Sequence, residues 1–283
     1  MFGRDNGGRS GGLPFKFIIA LIIGGVALFN YYRRTEVNPV TGEKQRIALN
    51  TEQEISLGLR AAPQMAAQMG GVISKSNPRA ALVNSVGRAV VERSDAKKSP
   101  YKYDFHLLND SQTLNAFALP GGQIFITKGL FDKLETEAQL AGVLGHEIGH
   151  VINRHAAEHM ATGQLGQSIA VAVGVAGSGE GGRGITAQMA AQAANQMLQL
   201  KYGRNDESEA DTFGLQYMAQ AGYDPSAMLG VMKVLAEASK SRQPEMMASH
   251  PHPEHRIEQI KAYLQKNFPN GVPSSLTQGQ HLK

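Results

Sequence analysis

The sequence predicts a mainly helical domain with a small β-sheet, preceded by an N-terminal apolar helix. Three observations lead there. An apolar run extends from Phe17 to Phe29; apolar residues recur at helical spacing over most of the chain beyond residue 50; and between residues 101 and 130 the pattern changes to alternation and β-branched runs. The chain of 283 residues is 42% hydrophobic and 18% charged, which excludes a disordered or fibrous protein and allows one large core. A net charge of +4 is thin for a phosphate-binding surface, so no nucleic-acid partner is expected. With no cysteine, the chain has no thiolate nucleophile, Cys-ligated metal, disulfide or lipid-modified bacterial N-terminus.

Residues 1–34 read as a basic segment and membrane anchor. Arg4, Arg9 and Lys16 precede the apolar run, and Tyr31, Tyr32, Arg33 and Arg34 follow it. A cleaved signal peptide is the alternative, but no small-x-small site follows Ala27. The flanking positive charges are nearly balanced and leave the orientation open. The main domain is expected over residues 35–270, with a flexible tail at 271–283. In TEVNPVTGEKQRIA, Asn-Pro and Thr-Gly signal turns; Asn50 or Thr51 then caps a first helix, and a second covers roughly Pro78 to Ser94. YKYDFHLLND and QIFITKGL read as neighbouring strands, with NAFALPGG between them. Thr136 and Gln139 form a capping box before Leu140, Val143, Leu144, Ile148, Val151 and Ile152 at helical spacing. A Gly-rich stretch at 174–184, an Ala/Gln/Met-rich helix, a helix from about Asn205 and one after Pro253 complete the chain.

The chemistry concentrates in GHEIGHV. His146 and His150 lie one helical turn apart on one face and can reach a single ion, while Glu147 between them is placed to take a proton from a water there. A third ligand is offered by GRNDESEADTFG, in which Glu207 and Asp211 share a face; Asp211 can accept the second ring N–H of a ligating histidine. The competing pattern His155-Ala-Ala-Glu158-His159 is about 180° around a continuous helix from the first pair and reads as solvent-facing. Gly177-x-Gly179-x-x-Gly182 lacks the alternating strands and helices of a dinucleotide fold, so it reads as a loop and no nucleotide is expected.

These residues resemble the membrane-associated zinc peptidases that include the HtpX, CAAX prenyl, BepA-like and mitochondrial OMA proteases. The resemblance rests on NPVTGEKQ with EISLG, NAFALPGGQIFITKGL, LAGVLGHEIGHVINRHAAEH, GRNDESEAD and SHPHPEHRI. It is closest to the BepA-like and OMA-like branch, because only one N-terminal apolar segment is present. It implies an α+β zincin fold holding one zinc ion per chain through His146, His150 and Glu207, with Glu147 as general base. Arg204, Asp211 and Arg256 are implied to surround these ligands. His250 is implied near the metal, either stabilising an oxyanion or blocking the open position. NAFALPGGQIFI is implied to be the edge-strand segment along which a substrate lies, with Asn115, Gly121, Gly122, Gln123 and Ile124 as substrate-binding residues. His252 and His255 read as surface residues. The resemblance further implies a metalloendopeptidase acting on misfolded or misassembled envelope proteins, single-pass in a bacterial inner membrane with its catalytic domain in the periplasm, or cleaved and periplasmic. The alternative function is a membrane-tethered chaperone or adaptor with a structural or self-plugged zinc site.

Overall fold

A computed structural model describes residues 35–47, 49–162, 201–240, 245–251 and 253–282. The expected anchor, the Gly-rich loop, the Ala/Gln/Met-rich helix and His252 lie outside them. Among the described residues no helix is long and apolar enough to cross a membrane.

A short hairpin opens the domain, β1 (Thr35–Val37) pairing antiparallel with β2 (Lys44–Arg46). Asn50 caps α1 (Thr51–Gln68) in a reciprocal box with Gln53, and Asn77 with Pro78 opens α2 (Pro78–Glu92). A sheet follows, of β3 (Asp104–Leu108), β4 (Ala116–Leu119) and β5 (Gln123–Thr127). β5 is central: it pairs parallel with β3 and antiparallel with β4. Its five residues are all buried, as expected for a strand covered on both faces. Thus the two segments read as neighbouring strands do pair, and the strand between them in sequence occupies the edge.

After the short α3 (Lys128–Phe131) comes α4 (Glu137–Ile152), the centre of the molecule, buried from Ala138 to Ile152. It packs against α2, β4, α6 (Arg204–Gln220) and α7 (Ala227–Ala238). The Thr136 hydroxyl accepts from Gln139 N–H as foreseen, but the Gln139 side chain turns to the Glu135 N–H instead. Glycines let α4 and α6 cross closely. A Cβ on Gly149 would stand 2.8 Å from the Ala210 carbonyl oxygen, and one on Gly214 2.9 Å from the His146 nitrogen. Short carboxylates on α6 can therefore reach histidines on α4.

Distant segments close both ends of α4. At its C-terminus, Asn38 Nδ2 donates to the Ile152 carbonyl at 2.6 Å and Gln45 Nε2 donates to that of Asn153, so the hairpin satisfies carbonyls the helix leaves free. At its N-terminus, the Glu137 and Ala138 N–H groups donate to the carbonyls of Gln280 and Gln278, each at 3.0 Å. Residues 271–282, read from the sequence as a flexible tail, are hydrogen-bonded to the body through these contacts and through Leu282 N–H to Glu135 O. The remaining α-helices among the described residues are α5 (His155–Thr162), α8 (Glu245–Ser249) and α9 (Pro253–Asn267).

Candidate metal centre

The α4–α6 crossing brings four buried side chains, His146, His150, Glu207 and His250, into one cluster. One ligand atom from each lies within 4.8 Å of all the others. His146 and His150 come from successive turns of α4, Glu207 from the first turn of α6, and His250 from the segment after α8, where its N–H donates to Met246 O at 2.7 Å. His146 Nε2 is 3.1 Å from His150 Nε2, 3.6 Å from Glu207 Oε2 and 3.3 Å from His250 Nδ1; His150 Nε2 is 3.4 Å from Glu207 Oε1.

These separations suit a small cation. Zinc binds imidazole nitrogen at about 2.0–2.1 Å, which puts tetrahedral ligands about 3.3–3.4 Å from one another. A second observation agrees. Glu207 Oε2 and Glu147 Oε1 are buried without a hydrogen bond, and a buried carboxylate oxygen left without one is costly. The residues present therefore fit a zinc ion held by nitrogen and oxygen donors.

Around the cluster, His146 Nδ1 lies 2.8 Å from Asp211 Oδ1, and Arg256 from α9 grips that carboxylate with Nε and Nη2 at 2.8 and 2.7 Å. Arg256 Nη1 also stands 3.1 Å from Glu207 Oε2, without the alignment of a hydrogen bond. Burial pushes the Asp211 carboxyl up, but the charges of Arg256 and His146 outweigh it and hold the group below its ordinary range. Glu207 is likewise pushed up by burial, yet the charges of His250 and Arg256 bring it well below the usual carboxylate range. Glu147 behaves oppositely. Its burial dominates over the charges of His250 and His146 and raises it, the direction that suits a proton acceptor which must later give the proton up. Burial holds His150 well below the usual imidazole range, the neutral form a metal requires.

The structure places the other expected residues unevenly. Asp211 and Arg256 reach the cluster, whereas Arg204 is exposed in the first turn of α6 and is not brought to it. Asn115 is buried beside β4, with Thr127 N–H donating to its carbonyl. Gly121 and Gly122, at φ +83° and +100°, make the turn between β4 and β5. Gln123 and Ile124 belong to the central strand, where pairing on both sides occupies the backbone, so they do not form an edge. The edges are β3 and Ala116–Leu119, the second of which packs against α4.

The larger correction concerns His155 and His159, expected to face solvent. His155 is 1% exposed, and His159, half-buried, has Nε2 2.8 Å from Asp206 Oδ2. The expectation assumed one continuous helix, but α4 ends at Ile152 and Arg154 adopts φ +57°, so α5 sets off in a new direction. Arg154 is buried, with Nε donating to Glu54 Oε1 and Nη2 to Leu49 O. Tyr202 also went unrecognised: its ring lies against His150, centroids 4.2 Å apart at 34°. No local sequence signal marks it.

A family model described as peptidase family M48 matches residues 77–264. The chain belongs to peptidase family M48. The resemblance read from the sequence is thereby borne out, and the relatives that follow bear out its lean toward the BepA-like and OMA-like branch. Among relatives, the chain is 29% identical over 246 residues to a beta-barrel assembly-enhancing protease of Yersinia pestis, covering 84% of this chain and 49% of the relative. It is 32% identical over 200 residues to the protein of the same name in Escherichia coli K12, covering 68% and 40%. To the mitochondrial metalloendopeptidase OMA1 of Schizosaccharomyces pombe it is 27% identical over 253 residues, covering 88% and 72%. The chain thus spans half or less of the length of the two bacterial relatives. The M48 match covers α2 through most of α9, and so every residue of the cluster.

Proposed function

We propose that the chain is a zinc-dependent metalloendopeptidase in which His146, His150 and Glu207 hold the ion and Glu147 is the general base. The convergence of two imidazole Nε2 atoms with a buried carboxylate oxygen that makes no hydrogen bond carries this reading. Bound there, zinc would polarise a scissile carbonyl and acidify a water. Glu147, raised by burial, is placed to accept a proton from an attacking water and to deliver it to the leaving amine. Asp211 aims His146, and Arg256 keeps Asp211 charged and fixed. The edge strand β4 offers backbone groups to an extended polypeptide.

Unfolded or misassembled envelope proteins are the proposed substrates. Support comes from the bacterial relatives, named as beta-barrel assembly-enhancing proteases, and from backbone-directed binding, which is indifferent to most side chains. The proposed location is a bacterial inner membrane, anchored once through Phe17–Phe29 with the catalytic domain in the periplasm; a cleaved, periplasmic form is the alternative. The test is cleavage of an unfolded model protein by the zinc-loaded chain beside Glu147→Gln. Loss of the base removes a factor of at least about a hundred. Equal activity in the two chains contradicts the assignment.

A second reading has its own observation. His250 is itself one of the four clustered donors, and its Nε2 stands 3.8 Å from Glu147 Oε1. In this arrangement it occupies the position a substrate or water would need, as in a self-plugged adaptor. Cleavage that appears only in His250→Ala marks a plugged peptidase; zinc binding with silence in both chains favours the adaptor.

A further inference from the structure

The helix break after α4 puts a buried imidazole directly behind a candidate metal ligand. His155 Nδ1 is 2.9 Å from His150 Nδ1, and His155 Nε2 is 3.1 Å from Glu209 Oε2. His150 turns its other nitrogen into the cluster, 3.1 Å from His146 Nε2 and 3.4 Å from Glu207 Oε1. We propose that His155, backed by Glu209, is a positioning residue for zinc binding: it accepts the Nδ1–H of His150 and so fixes that ring's tautomer and aim. This rests on the reading of His146, His150 and Glu207 as zinc ligands.

The assignment follows from proton accounting. A neutral imidazole carries one N–H and one lone pair. With its Nε2 lone pair given to the ion, His150 must carry its hydrogen on Nδ1. Two Nδ1 atoms 2.9 Å apart then share that single hydrogen, so His155 Nδ1 is bare and accepts it. The hydrogen of His155 is left on Nε2, the nitrogen that faces Glu209. Each nitrogen in the row has one role, and His155 has none free for the metal. Ligating histidines ordinarily give their second N–H to a carboxylate, carbonyl or water; here a second imidazole is interposed and carries the contact outward to Glu209, whose side chain is 46% exposed.

The surroundings hold this row in place. Arg154 at φ +57° is an uncommon conformation for a residue with a side chain, and its buried contacts to Glu54 and Leu49 maintain it. That turn starts α5 where His155 meets His150. On the flat side of His150 lies Tyr202, whose N–H donates to Ser249 O at 3.0 Å. His150 is thus braced at its edge by His155 and on its face by Tyr202.

The test is zinc affinity by chelator competition on the whole chain, read beside the fold of the metal-free protein by circular dichroism. His155→Ala is expected to bind zinc about 10–100-fold more weakly while folding as the parent. His155→Asn keeps an acceptor where Nδ1 stood and is expected to recover most of that loss, which a purely packing role for the ring would not allow. Glu209→Ala, at an exposed position, is expected to lose about tenfold, the low end of the same range. Parental affinity in a folded His155→Ala overturns the proposal, as does His155→Asn binding no better than His155→Ala. If His155→Ala does not fold, parental affinity in Glu209→Ala overturns it alone. A parent chain that holds no zinc brings down the metal reading itself, and this proposal with it.

Discussion

His146 and His150 lie one turn apart on the same helix, yet they are supported in opposite ways. Behind His146 stands a buried charged arm: Asp211 on α6, held by two hydrogen bonds from Arg256 on α9. Behind His150 stands a second imidazole, His155, that leads to a half-exposed carboxylate. The charged arm draws three chain segments together at the centre of the domain, and every member is desolvated, so each depends on the others for compensation. The His155 arm desolvates one imidazole and leaves its carboxylate partly in water. The difference separates roles: the first arm is built into the stability of the fold, and the second bears mainly on the aim of a ring.

Breaking the charged arm should have the largest effect. Arg256→Met leaves Asp211 and Glu207 buried without their cation, and the metal-free protein is expected to lose about 3–5 kcal/mol in urea denaturation. Loss below about 1 kcal/mol would erase the distinction between the arms. Asp211→Asn keeps the shape but removes the charge behind His146, and zinc affinity is expected to fall about 10–100-fold by chelator competition.

Acid should find the charged arm too. The folded Asp211 carboxyl is held below its unfolded value, so its contribution is present above about pH 4, the ordinary carboxylate value, and is lost as pH falls through the lower folded value. Urea melts of the metal-free protein across that range are expected to show an acid limb that Asp211→Asn flattens. The smallest effect belongs to the periphery. His159 is raised by its hydrogen bond to Asp206, so its contribution is present below about pH 6.5 and fades as pH rises through the higher folded value. Its half-buried setting keeps this near or below about 1 kcal/mol. His159→Gln is expected to remove that slope between acidic and alkaline melts, and an unchanged slope would assign it elsewhere.

What could be read from the sequence follows the reach of helical periodicity. His146, Glu147 and His150 are legible because four residues return to the same face, and Glu207 with Asp211 for the same reason on a second helix. Nothing local says that the two helices cross face to face; Gly149 and Gly214 permit it, but their partners are remote in the chain. His250 and Arg256 were visible only through family resemblance, since their roles depend on the segment after α8 and on α9 meeting α6. His155 was misplaced because periodicity was carried through Arg154, a residue that does not advertise a left-handed turn. The edge-strand segment NAFALPGGQIFI was half placed: Ala116–Leu119 is an edge, but Gln123 and Ile124 belong to the central strand. β5 takes both β3 and β4 as partners, and the unbroken apolar character of Ile124–Ile126 was a usable sign of such a central strand.

The central claim is that His146, His150 and Glu207 hold zinc. The most direct measurement is anomalous diffraction at the zinc edge from crystals of the metal-loaded chain. The account predicts one peak per chain, about 2.0–2.2 Å from His146 Nε2, His150 Nε2 and a Glu207 carboxylate oxygen. A peak at His155 and His159, or none in a folded, zinc-saturated protein, would contradict it.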